Sequence, residues 1–122
     1  MYNQNAKSMY QTNQVLTASP KKLVTLLLEG SIKNLKLAKI YIEKKDYEQS
    51  NKALFKHQDI ILELQRTLDF EAGGEVAQNL ELMYDYLIEQ AIRANVHKDV
   101  TIIDHSIEIV QGILESWIQI EV

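Results

Sequence analysis

The chain of 122 residues has the length of one domain, and its 46% share of hydrophobic residues excludes a disordered protein. The absence of cysteine excludes a disulfide scaffold, thiolate catalysis and sulfur-ligated zinc. A net charge of −4 argues against nucleic-acid binding, and no apolar run reaches the roughly 18 residues that a membrane span needs. Because the polar start Met1–Asn5 is unlike a signal peptide, we expect a cytoplasmic protein without membrane insertion.

The chain begins with a polar segment and then becomes strongly helical. Residues 1–18 are rich in Asn and Gln, which predicts an N-terminal arm that docks only loosely on the rest of the protein. Ser19 is a good N-cap, and Pro20 suits the first helical position because an N–H has no partner there. The first helix is therefore predicted over about residues 19–45.

Three further helices follow, because the apolar residues recur with a period of 3.6 and do not alternate. Asp46 and Gln49 have the spacing of a capping box, which begins the second helix. The pair Gly73-Gly74 breaks the chain before the third helix, and Asp99 caps the fourth. The predicted bounds are about 46–68, 75–95 and 99–120. The residues predicted to face inward include Tyr47 of the second helix and Val76, Leu80 and Met83 of the third.

Four long helices with short connections predict an all-α fold, an antiparallel four-helix bundle over residues 19–122. Residues 20–45 hold seven lysines against two glutamates, a net charge of +5, whereas residues 99–122 hold five acidic and no basic residues. Complementary charge suits the first and last helices, which lie side by side in an up-down bundle. Three lysines of the first helix align at helical spacing: Lys33, Lys36 and Lys39. A solvated face beside an acidic helix explains them better than a phosphate-binding ridge.

The sequence contains no pattern typical of an active site. Di-metal bundles use Glu-x-x-His pairs, and none of the residues three before His57, His97 and His105 is a metal ligand. His57 falls on the inward face of the second helix, where a structural histidine is more common than a general base. A column of carboxylates on the third helix fits a solvated ridge better than an acid–base pair. We therefore expect no enzymatic activity, no metal and no cofactor.

The helices carry more apolar residues than one buried face needs. The main stripe of the fourth helix ends at Trp117, which we expect to be largely buried against the first helix. Roughly 100° from that stripe, a second seam contains Ile102, Ile109, Ile113 and Ile120. A wide packing face explains any one such residue, but a surplus on all four helices favours a binding surface for an amphipathic helix. The residues assigned to partner binding are Tyr10, Val15 and Leu16 of the arm, Phe55 and Leu62 of the second helix, and Ile102, Ile109 and Ile113.

A resemblance to a known family covers nearly the whole chain in order. The segment Tyr10-x-x-Asn13-x-Val15-x-Thr17-Ala18-Ser19-Pro20-x-x-Leu23 resembles the N-terminal signature of the flagellin-specific export chaperones, the FliS family. The similarity then continues through Gly30, Asn51, Lys56, Ile60, Ile61, Glu63, Leu64, Leu68-Asp69, Gly73-Gly74-Glu75, Ala77, Asn79-Leu80, Met83-Tyr84-Asp85-Tyr86, Ala94-Asn95, Asp99 and Trp117. The chain departs from the family at Leu28, where an aromatic residue is common.

The resemblance implies a cytosolic chaperone whose client is the C-terminal segment of newly made flagellin. In the family that segment lays helical pieces in apolar grooves of the bundle. Covering it prevents premature polymerisation and presents the subunit to components of the type III export gate. The resemblance also implies that the N-terminal arm covers a groove in the free protein and moves aside for flagellin.

The competing hypothesis is a self-associating structural bundle without a flagellin client, which dimerises through the isoleucine seam of the fourth helix. Both hypotheses require an exposed apolar surface. We therefore expect the free protein to be a monomer or a weak homodimer.

Overall fold

A computed structural model describes residues 20–120 of the protein. Over this range the chain forms the helices α1 (Pro20–Glu43), α2 (Tyr47–Arg66), α3 (Phe70–His97) and α4 (Val100–Ile120). Connections of two or three residues join them. The predicted arm, residues 1–18, and the predicted Ser19 cap lie outside the described residues. The all-α prediction is confirmed for the part of the chain that is described.

Each helix packs chiefly on two others, in the ring order α1–α2, α2–α3, α3–α4 and α4–α1. Near the end of α1, the Lys39 Nζ lies 2.9 Å from an Oδ1 of Asp104, which is near the start of α4. At the other end of the same pair, the Trp117 Nε1–H donates to the carbonyl oxygen of Lys21 over 3.2 Å. Helices α1 and α4 therefore run antiparallel and side by side, and the predicted antiparallel four-helix bundle is confirmed.

The corner between α1 and α2 is built by a Lys-Asp dipeptide. Lys45 has a φ of 60°, the left-handed conformation that ends many helices. The Asp46 N–H donates back to the Tyr41 carbonyl over 2.8 Å, and the Asp46 carboxylate accepts from the Gln49 N–H over 3.3 Å. Because Tyr41 already occupies the Asp46 N–H, the Gln49 side chain does not complete the predicted capping box. Asp46 nevertheless caps α2 as predicted.

The corner between α3 and α4 repeats this arrangement. Lys98 is left-handed with a φ of 52°, and the Asp99 carboxylate accepts from the Thr101 N–H over 2.9 Å. The Lys98 ammonium also donates to the side-chain oxygens of Asn51 and Asn95. This second role ties the start of α2 to the end of α3.

Helix α3 begins five residues earlier than predicted, at Phe70 instead of Glu75. The Asp69 carboxylate caps it by accepting two backbone N–H groups of the first turn, at 3.0 and 3.1 Å. The glycine pair interrupts the helix instead of preceding it, since Gly74 has a φ of 51° and a ψ of −126°, which favour glycine. The predicted break therefore becomes a kink one turn inside the helix, which then continues to His97.

The core is aliphatic and draws on all four helices. Its fully enclosed large residues are Leu28, Leu35, Leu54, Ile61, Leu64, Leu87, Ile103 and Val110. Three residues predicted to face inward are exposed instead, namely Tyr47, Val76 and Met83. Trp117 is partly buried and packs against the core, and its indole bonds to α1, the helix against which it was predicted to lie. The bundle closes least completely between α3 and α4, the helices that contain Val76, Met83 and Trp117.

A buried polar pair lies between α1 and α2. The Ser31 Oγ is 2.8 Å from the His57 Nδ1, and both side chains are fully buried. Burial lowers the pKa of His57 from 6.5 to about 4, so the ring is neutral near pH 7. The His57 Nε2 has no hydrogen-bond partner within residues 20–120. Enclosure in the packed core gives no approach to a substrate, and this suits a structural histidine better than a general base.

Candidate partner-binding groove

A groove with a volume of about 740 Å³ lies between α3 and α4. One wall runs along α3 from Ala72 to Tyr84, the other along α4 from Glu108 to Ile120, and Leu28 of α1 contributes to the floor. The twelve-residue step from Glu108 to Ile120 along the unbroken helix α4 spans roughly 18 Å at 1.5 Å per residue. That length matches about three turns of a partner helix. The other large apolar side chains that line it are Val24, Leu68, Val76, Leu80, Met83, Ile109, Ile113, Trp117 and Ile120.

The pair α3–α4 is held together differently from the other three pairs. Helices α2 and α3 are linked by a hydrogen bond from Gln65 to Asp85. The pair α1–α2 is linked by the bond between Ser31 and His57, and the pair α1–α4 by the two contacts described above. Within residues 20–120, no hydrogen bond or ion pair joins α3 to α4. Their one ring contact is the edge-on pair Tyr86 and His105, with centroids 6.3 Å apart. It lies beyond the end of the groove, so nothing polar draws the groove walls together.

Small residues keep the groove empty. A Cβ at Gly112 would meet no atom within 4 Å, so the space beside this turn of α4 is free. Ser116, one turn further along, is the next small residue on the same wall. On the opposite wall, a Cβ at Gly73 would come within 2.9 Å of the Ala77 Cβ, so a side chain there would disturb α3 itself. Because small residues line both walls, the gap is not filled from within the bundle.

Tyr84 supplies a polar group at the base of the groove. Its side chain is buried, and burial raises the pKa of its hydroxyl to about 12, so the hydroxyl is protonated at neutral pH. The hydroxyl forms no hydrogen bond with a described residue. Within residues 20–120, the one fully enclosed side-chain polar atom without a partner is His57 Nε2, so the Tyr84 hydroxyl is not fully enclosed. The Tyr84 hydroxyl therefore retains access to the groove and can donate a hydrogen bond to a backbone carbonyl of a bound chain.

The structure separates the predicted partner-binding residues. Ile109 and Ile113 line the groove, although Ile113 is only 8% exposed and also belongs to the core. Ile102 is partly buried against the core and lies outside the groove. Phe55, which is 56% exposed, and Leu62 project from α2, also outside it. The remaining three predicted residues, Tyr10, Val15 and Leu16, lie outside the described residues.

The α3 wall was not assigned to binding from the sequence. Val76, Leu80 and Met83 recur with a helical period and were therefore assigned to the core. A usable signal was present on α4, where Gly112 and Ser116 interrupt a row of isoleucines. Small residues within an apolar seam indicate space between helices, and the residues across that space are then candidates for binding.

The mostly apolar lining of the groove suits the binding of an apolar segment. Within residues 20–120 there is no group of three or more histidine, aspartate or glutamate side chains that could hold a metal ion. None of the four described helices has the length and apolar character required to cross a membrane.

Comparison with known proteins gives consistent matches. A family model described as Flagellar protein FliS matches residues 1–122. Three similar proteins carry the name flagellar secretion chaperone FliS. The protein of Campylobacter jejuni is 36% identical over 117 residues, covering 96% of this chain and 91% of the relative. That of Vibrio cholerae is 34% identical over 114 residues, covering 93% and 84%. That of Bacillus subtilis is 34% identical over 116 residues, covering 95% and 86%.

Proposed function

The chain belongs to the FliS family of flagellar secretion chaperones, which are not enzymes, and from this we propose that it binds the C-terminal segment of flagellin in the α3–α4 groove. The observation that carries the proposal is a mostly apolar groove of about 740 Å³ that the bundle does not fill. An amphipathic helix laid in such a groove is a common mode of protein recognition. The proposed setting is the cytoplasm, before the subunit reaches the flagellar export machinery.

The chemistry of the groove fits a segment that is apolar and unfolded when free. Met83 and Ile109 offer contacts to leucine-like side chains spaced at i, i+4 and i+7 along a bound helix, and Tyr84 can donate to its backbone. Folding the segment on binding uses roughly 2–5 kcal/mol of the interaction energy. That cost lowers the affinity and helps release at the export gate, while the covered apolar face cannot polymerise.

Two adjacent residues of α3 provide a matched test of the groove. Met83 lines it and is 38% exposed, whereas Leu82 is 67% exposed and lies outside it. Met83→Asp is expected to weaken binding of a synthetic flagellin C-terminal peptide at least tenfold, or about 1.4 kcal/mol. Leu82→Asp is expected to change it less than twofold. Trp117, the only tryptophan, lines the groove, so its emission reports binding. Equal losses in both variants would contradict this location.

A second variant separates binding from folding. Gly112→Leu places a side chain in the empty space, and replacing a helical glycine raises helix propensity by up to about 1 kcal/mol. We expect this variant to be at least as stable as the parent but to bind the peptide at least tenfold more weakly. Gly112→Ala serves as the control, with the gain in stability and nearly normal affinity.

The homodimer hypothesis makes a different prediction for the same protein. The mass in solution, measured by sedimentation with and without the flagellin peptide, distinguishes the two. We expect the mass to rise by one peptide per chain. A constitutive dimer whose mass ignores the peptide would overturn the proposed function.

A further inference from the structure

A second groove, with a volume of about 430 Å³, lies between α1 and α4. It shares no lining residue with the α3–α4 groove, and it lies between the two points where α1 and α4 are tied together. Its apolar strip contains Ile32, Leu37, Ile40 and Leu114. Three charged residues of α1 also line it, namely Glu29, Lys33 and Lys36.

Lys33 and Lys36 form no ion pair with Glu29, the one acidic residue that lines this groove. One turn further along α1, Lys39 is bonded to Asp104 of α4, and the hydrogen bond and charge of that carboxylate raise the pKa of Lys39. Lys33 and Lys36 are exposed and form no ion pair with any residue of 20–120. At their level α4 contributes Gln111 to the groove. The complementary charge predicted for α1 and α4 therefore reaches Lys39 and leaves Lys33 and Lys36 without an ion pair, in a lining that holds two lysines against Glu29.

The combination of charges with an apolar strip narrows the choice of occupant. A phosphate or nucleic acid would use the two lysines but would gain nothing from Ile40, which is 46% exposed. A purely apolar segment would leave the lysines unused. An amphipathic helix with acidic residues along the edges of its apolar face satisfies both features.

We propose that the α1–α4 groove is a docking site for an acidic amphipathic segment of another protein. Leucine-like side chains of that segment contact Ile40 and Leu37, and its carboxylates pair with Lys33 and Lys36. Because the two grooves have separate linings, this segment and the occupant of the α3–α4 groove bind at the same time.

A designed peptide tests the proposal without knowledge of the natural partner. The probe is a fluorescein-labelled helical peptide of about 18 residues with leucines on one face and glutamates along both edges of that face. Its twin carries lysine in place of every glutamate. By fluorescence anisotropy we expect the glutamate peptide to bind at least tenfold more tightly than the twin. Binding should weaken as salt rises, because these charges are exposed to solvent.

Charge reversal locates the binding surface. Lys33→Glu combined with Lys36→Glu is expected to weaken binding of the glutamate peptide at least tenfold. Lys52→Glu combined with Lys56→Glu, an equal change of charge on exposed positions of α2, should weaken it less than threefold. Ile40→Asp should weaken it as the lysine reversal does. Circular dichroism checks that each variant remains helical, and affinity for the flagellin peptide should be unchanged in the α1 variants.

Equal binding of the lysine twin, or equal losses in the α2 control, would overturn the proposal. Competition by a short DNA duplex as effective as that by unlabelled peptide would overturn it as well. So would a dimer in sedimentation that the α1 charge reversal abolishes. The last would assign the groove to a second copy of this chain. None of these results would alter the flagellin measurements on the α3–α4 groove, so the two proposals fail separately.

Discussion

The α1–α2 and α3–α4 pairs are built from similar helices but differ in packing: the first interface is filled and the second leaves a groove. Between α1 and α2 the interface is filled: Leu54 is fully buried, Ser31 bonds to His57, and a Cβ on Gly30 would lie only 3.4 Å from the Ile60 side chain. Between α3 and α4 a groove of about 740 Å³ stays empty and no polar bond joins the helices within residues 20–120.

The difference separates stability from binding. Burial of apolar surface stabilises the fold by roughly 25 cal/mol per Å². In the filled α1–α2 interface the apolar surface is buried within the protein and stabilises the fold. The α3–α4 pair leaves part of its apolar surface unmatched, and that surface stabilises a complex instead. We therefore expect mutations in the first pair to act on unfolding and mutations in the second to act on affinity.

The largest expected effect is at Leu54. Leu54→Ala removes a fully buried side chain and should lower the free energy of unfolding by about 2–5 kcal/mol. Met83→Ala, in the groove wall, should lower it by less than about 1 kcal/mol because much of that side chain is already exposed. Urea unfolding followed by circular dichroism measures both. Similar losses at the two positions would remove the distinction between the pairs.

Acid should act on the filled pair through His57. Because burial holds the pKa of His57 at about 4 in the folded state against 6.5 in the unfolded chain, the unfolded state binds a proton that the folded state does not. The free energy of unfolding should therefore fall as the pH drops from about 6.5 to about 4, by up to about 1.4 kcal/mol per pH unit. Below that range no further loss arises from this group.

The variant His57→Gln isolates this contribution. We expect it to be less stable than the parent near pH 7, because the bond to Ser31 changes, so the comparison concerns the slope of stability against pH between 7 and 4.5, which should become shallower. His105→Gln, at an exposed position, should keep the parental slope. An unchanged slope in the His57 variant would show that other groups carry the acid sensitivity.

The smallest expected effect concerns the arm, whose residues 1–18 lie outside the described part of the chain. The family resemblance includes Tyr10, and we expect its ring to contact flagellin directly. Tyr10→Ala should weaken peptide binding two- to fivefold, or about 0.5–1 kcal/mol, and should account for most of the loss on deleting residues 1–15. Calorimetric titration measures both. Tighter binding after deletion would indicate that the arm only covers the groove.

The sequence predicted the helices because their signals are local. Asp46 and Asp99 cap the next helix wherever the rest of the chain lies, and a period of 3.6 residues marks a helix before any packing is known. The early start of α3 was missed because two glycines outweighed Asp69. The carboxylate of Asp69 caps a first helical turn that forms before the chain reaches Gly74. Gly74 then kinks the helix without ending it.

What the tertiary structure alone decided is which apolar residues meet a neighbour and which meet open space. The sequence placed Met83 on an inward stripe and Ile113 in a binding seam, yet Met83 is 38% exposed in the groove wall and Ile113 is 8% exposed. Ser31 gave no signal, although it bonds to His57 from 26 residues away. The physical reason is that periodicity gives the direction of a side chain around its own helix. The distance to the next helix depends on the volumes of all the side chains between them, and small residues such as Gly112 leave that distance unfilled.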